Sequence, residues 1–119
     1  MSITTVNEAI AQLRKKYALS LPLKVSNASE CVSAALTAPW NRTLGEMAHR
    51  YLHSLIGSSG SYGFPEISGL ARSAESILRA SVESGVAPSP EEGVRLQQLV
   101  TRLRFLAARE AEEAMERVA

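Results

Sequence analysis

Apolar residues in this chain recur at intervals of three and four, and no segment alternates convincingly enough to make a strand, so the fold has to be built from helices. Thr5 and Glu8 stand at capping-box spacing, and Val6, Ile10, Leu13 and Tyr17 follow on one stripe. Arg14, Lys15 and Lys16 then suit the negative end of the dipole, which predicts a first helix over 5–18. Pro22 after Leu21 fits the first turn of a second helix carrying Val25, Ala28, Val32, Ala35 and Leu36, stopped by Pro39. Asn41 is a cap for a third helix with Leu44, Met47, Ala48, Tyr51 and Leu55 on one face. Pro65 and Glu66 open a fourth through Ile67, Leu70, Ala71, Ala74, Ile77 and Leu78, closed by Gly85 and Pro88. Ser89, Pro90, Glu91 and Glu92 combine a cap, a first-turn proline and a capping-box carboxylate ahead of Leu96, Leu99, Val100, Leu103, Leu106 and Ala107. Helices joined by short connections predict an all-α fold, an up-and-down four-helix bundle with an additional N-terminal helix, as a single domain over 1–119.

Composition narrows the function. A 119-residue chain that is 45% hydrophobic and 21% charged has material for one core. Lys plus Arg number 13 and Asp plus Glu 12, and a formal charge of +1 gives no long-range attraction for nucleic acid or an acidic membrane. The longest apolar runs fall far short of the roughly 20 residues of a membrane span. Cys31 is the single cysteine and has no partner for an internal disulfide, and no secretory leader is legible at the start, so the expected setting is the reducing cytoplasm.

On a wheel of about 100° per residue with Leu44 at zero, Tyr51, Leu55 and Tyr62 fall within about 20° and form the expected core face of the third helix. His53 falls about 180° away, flanked by Glu46, His49, Arg50, Gly57 and Gly60. The histidine is thus expected to face solvent. Gly57, one turn later, costs a continuing helix about 0.8 to 1.0 kcal/mol relative to alanine, and fills no core space. Bare backbone beside an exposed imidazole lets another protein approach the ring.

The stretch His53 to Gly63, HSLIGSSGSYG, closely resembles the signature of histidine phosphotransfer (HPt) domains: His, any residue, Leu, usually Lys, Gly, then small residues and a second Gly. Phe64, Pro65, Ile67, Leu70, Ala71 and Glu75 resemble the opening of the helix that follows that signature in bacterial members, and the stretch around Leu21 and Pro22 resembles the preceding helix. The resemblance covers about residues 5 to 115. It implies a bundle whose exposed histidine takes a phosphoryl group from a receiver-domain aspartate and passes it to another receiver. His53 would be phosphorylated and Gly57 would give clearance. It further implies response-regulator receivers and a hybrid histidine kinase as partners. The chain would be a phosphocarrier without kinase activity of its own and without a cofactor, the Mg²⁺ sitting on the receiver.

The departure is Ile56, where the family often has Lys. Arg50, three residues before His53, could supply the missing cation, and Arg79 on the next helix is a second candidate. Ile56 and Leu52 would form an apolar docking rim. The chemistry agrees, since a neutral imidazole is nucleophilic near neutral pH and phosphoryl transfer depends chiefly on positioning and charge stabilisation.

An exposed helical histidine, taken alone, is usually a plain surface residue. His49 and His53 could form half a zinc site, but Arg50 stands where the zincin pattern needs glutamate, and no third ligand is evident. The GSSGSYG stretch lacks the Lys-Ser/Thr ending of a phosphate-binding loop and suits close helix packing. Cys31 reads as a small buried residue, Trp40 as packing for the bundle's end, and the mixed charges from Arg102 to Arg117 as a solvated face. Two further functions stay open: a non-phosphorylated bundle that docks a receiver or kinase as a regulatory module, and a plain scaffold should His53 be buried.

Overall fold

The computed structural model describes residues 2–116. It has four helices: α1 (Ile3–Leu36), α2 (Arg42–Ser61), α3 (Pro65–Ser84) and α4 (Pro90–Glu116). Each packs against its two neighbours in the order α1, α2, α3, α4 and back to α1, and the diagonal pairs do not meet, which is the up-and-down bundle expected from the short connections.

Three of the starts are set by the chemistry legible in the sequence. Asn41 accepts from the Leu44 amide, Pro65 occupies the first turn of α3, and Ser89 and Glu92 bond each other's backbone N–H as a full capping box. Gly85 ends α3 at φ 75°, a left-handed position that suits glycine.

The N-terminal region differs from expectation in two ways. The cap is Ser2, whose Oγ accepts from the Thr5 amide, so the helix begins at Ile3 and not at Thr5. The helices expected on either side of residue 20 are one continuous helix through Pro22; the additional N-terminal helix is the first half of α1, not a separate element. An internal proline costs about 3 kcal/mol or more, but Leu21 and Val25 beside it are buried in the core, and their packing offsets that loss.

The core runs the length of the bundle from Tyr17, Leu21, Val25 and Val32 through Leu52, Leu55, Ile67 and Leu78 to Leu96, Val100 and Leu103. Trp40 packs the lower end as expected, lying so close over α2 that a Cβ on Gly45 would stand 2.8 Å from its indole. Cys31 is partly buried against the core, and burial pushes its thiol pKa up. Of the mixed-charge run at the chain's end, Arg117 lies outside the described residues.

At the opposite end α1 clamps the α2–α3 turn. Tyr17 Oη lies 2.6 Å from Ser58 Oγ, its ring meets Tyr62 edge-on, and Arg14 donates from Nε to the Tyr62 carbonyl and from Nη2 to that of Gly63. Beyond this clamp α1 continues alone with α4.

Candidate functional site

The buried line of α2 is Gly45, Ala48, Leu52, Leu55 and Ser59. It is rotated by about 60° from the face centred on Leu44, because small residues, not the large ones, approach the neighbouring helices. Tyr51 and Tyr62, expected in the core, are exposed, and Leu52, expected on an exposed docking rim, is wholly buried. Ile56 is partly buried against the core and remains as the apolar neighbour of the site.

The rotation leaves His53 outside, with its side chain 73% exposed, but turns it toward α3. There it meets Glu75. On α3 the buried positions Ile67, Ala71, Ala74 and Leu78 define a core stripe, and Glu75 shares that line, 2% exposed. A carboxylate so enclosed needs partners. His53 Nδ1 lies 2.7 Å from its Oε2, the Arg79 guanidinium bonds Oε1, and His49 Nε2 stands 4.0 Å from Oε1. The rings of His49 and His53 are stacked, 6.2 Å apart and 12° from parallel. His49 Nε2 is enclosed and has no hydrogen-bond partner.

Burial by itself would raise the Glu75 pKa. The hydrogen bond with His53 and the Arg79 charge outweigh it and hold the carboxyl below its ordinary value of 4.5, so Glu75 is ionised at neutral pH. An ionised carboxylate only accepts, so the proton lies on His53 Nδ1 and the lone pair on Nε2, across an open ring. In the neutral ring this arrangement leaves Nε2 as the nitrogen with the lone pair.

The sequence-derived candidates divide accordingly. His53, His49 and Arg79 converge on Glu75, which the sequence marks only as part of a helix opening. Arg50 does not join them; it makes no ion pair or hydrogen bond among the described residues and shares a shallow depression with Met47, Tyr51 and Ser54. Gly57 lies beside His53 with nothing within 4 Å of where its Cβ would be. The signature's small residues past Gly57 are helical to Ser61, and Ser59 and Gly60 pack close: Ser59 is buried, and a Cβ on Gly60 would come 3.5 Å from Ser68 Oγ. Among the described residues no group of three or more His, Cys, Asp or Glu is placed to hold a metal ion.

The family model described as Hpt domain matches residues 3–105, which takes in α1, α2, α3 and more than half of α4. No curated protein and no solved structure matches the chain. With its helical bundle and a match over most of its length, the chain belongs to the Hpt domain family, whose members serve phosphotransfer in two-component signalling.

Proposed function

We propose that His53 Nε2 takes a phosphoryl group from the aspartyl phosphate of one receiver domain and hands it to the aspartate of another. The observation that carries this reading is the exposed ring of His53 tied at Nδ1 to the buried, ionised Glu75. In the forward step the Nε2 lone pair forms the N–P bond as the P–O bond to the donor aspartate breaks, and that carboxylate leaves. The Nδ1 proton stays between the ring and Glu75, so the positive charge on the phosphorylated imidazole is met by a fixed carboxylate. The reverse step on the second receiver uses the same atoms. Phosphoryl transfer needs positioning and charge stabilisation, and the receiver brings its own carboxylates and Mg²⁺.

Arg79, half-exposed and attached to Glu75, takes the part of the cation that Ile56 does not supply. Ile56 gives the receiver an apolar contact and Gly57 gives it clearance. The chain carries the group without kinase activity of its own, the donor receiver belongs to a hybrid histidine kinase, and the setting is cytoplasmic. No helix among the described residues is long and apolar enough to cross a membrane.

Incubation with ³²P-labelled receivers tests the proposal. Acid-labile label is expected on the wild type and none on His53→Gln, with helicity unchanged. Label that persists in His53→Gln, or is lost instead in His49→Gln, overturns it, and receiver binding with no transfer at all supports a regulatory docking module.

A further inference from the structure

We infer that His49 is the reserve partner of Glu75: when the Arg79 guanidinium turns to a phosphoryl group on His53, His49 Nε2 closes on the Glu75 oxygen that the arginine leaves. His49 is then a positioning residue for transfer, acting through Glu75, and the inference rests on the phosphocarrier reading of His53.

Among the described residues, the enclosed side-chain nitrogens with no hydrogen-bond partner are His49 Nε2 and Trp40 Nε1. Buried polar atoms are rarely left in that state. His49 Nε2 faces Glu75 Oε1 at 4.0 Å. A lone pair held there would be repelled by the negative oxygen and an N–H attracted to it, so Nε2 carries the proton. The neutral Nε2–H tautomer and the imidazolium both meet that condition. His49 is therefore a donor about 1 Å beyond hydrogen-bond range of an acceptor. The end torsions of His and Glu side chains are broad, so small rotations close such a gap.

Arg79 is what keeps the gap open. Glu75 Oε2 is taken by His53 Nδ1, and Oε1 by the guanidinium. The arginine is half-exposed and can swing into solvent, but the carboxylate it would leave is 2% exposed. A buried charged acceptor stripped of a partner is strongly disfavoured. Without a substitute, Arg79 would stay locked to Glu75. A phosphoryl group on Nε2 stands across the ring from Nδ1, and reaching its oxygens takes the guanidinium off Oε1. His49 is placed to replace it: its ring stacks on His53, and its Nε2 has no other bond to break. Arg42 and Glu46, earlier on α2, pair with each other instead. After the exchange Glu75 still has two donors and His53 keeps its tether, while the arginine is free to bond the phosphoryl oxygens. Loss of the phosphoryl group to a second receiver returns Arg79 to Oε1.

A double-mutant cycle on the unphosphorylated chain tests the exchange. Arg79→Ala is expected to destabilise only slightly, because His49 takes its place. His49→Phe, which keeps a stacked ring and removes the N–H, is also expected to do little. Together they leave Oε1 bare, and the unfolding constant should rise at least about tenfold beyond the product of the single effects. In Arg79→Ala the His49 Hε2 resonance is expected to move downfield and to exchange more slowly with water. Once a receiver has labelled the chain, His49→Phe should shorten the lifetime of the phosphoprotein as Arg79→Ala does, and the pair should be no worse than either alone. His49→Gln, whose amide offers an N–H at similar reach, should restore it. Independent effects in the cycle, a His49 proton signal indifferent to Arg79→Ala, or a wild-type lifetime in His49→Phe would overturn the inference. Absence of label on His53 from every receiver would overturn the phosphocarrier reading, which the cycle and the proton signal do not touch.

Discussion

His53 Nδ1 and Glu75 Oε2 lie 2.7 Å apart across the α2–α3 interface, one group mostly in water and the other almost wholly out of it. Replacing the charged acceptor by a neutral one, Glu75→Gln, keeps the shape and weakens the tether. The His53 tautomer, read by ¹⁵N NMR above neutral pH, is expected to shift from Nδ1–H toward a mixture. Acceptance of phosphoryl from a receiver is expected to slow about tenfold, the equivalent of about 1.4 kcal/mol from a charge-assisted hydrogen bond. An unchanged tautomer with a slowed rate would place the effect of Glu75 elsewhere.

Acid should uncover the same bond in the stability of the fold. The Glu75 pKa in the folded chain is below its ordinary value of 4.5, so its contribution is complete above that value and is lost as pH falls through the lower folded one. Urea unfolding is expected to show Glu75→Gln less stable than wild type at neutral pH, with the gap closing below about pH 4.5. A gap independent of pH would mean that packing, not charge, accounts for the loss.

Gly57 can be separated into its two effects by size. Gly57→Ala meets open space and should raise the melting temperature, through a gain of up to about 1 kcal/mol, with little change in transfer. Gly57→Phe should also fold, but slow transfer at least about tenfold by standing where a receiver must come in. Normal transfer in Gly57→Phe would remove the clearance role.

The two arginines near His53 are distinguished by the lifetime of the isolated phosphoprotein. Arg79→Ala should shorten it by about threefold to tenfold, a modest factor because the guanidinium is half in solvent. Arg50→Ala should leave it unchanged, and Ile56→Lys should restore it in the Arg79→Ala background. The opposite ranking would return Arg50 to the site.

What could be read from the sequence was what depends on neighbours along the chain. The caps at Asn41 and Ser89–Glu92 and the turn-forming Pro65 and Gly85 act within a few residues, and each was legible. The path of α1 through Pro22 was not, because the burial of Leu21 and Val25 that overrides the proline comes from other helices. The rotation of α2 was missed for a related reason: hydrophobic size favoured Leu44 and Tyr51, whereas close approach selected Gly45, Ala48 and Ser59. His53, His49 and Arg79 stood out as candidates, but their common partner did not. A signal for Glu75 was present, a carboxylate in register with Ile67, Ala71 and Leu78, where a charge is rarely left without a reason.

The anchoring of an exposed ring also bears on how briefly a partner needs to stay. A free surface histidine samples several rotamers, and a docking protein must first freeze them. Here the rotamer is chosen before the encounter by a bond to a side chain that is itself immobilised in the core. Little ordering is left for the complex to perform, so reactive geometry does not require high affinity. A carrier built this way suits short encounters with one receiver after another, with fast dissociation between them.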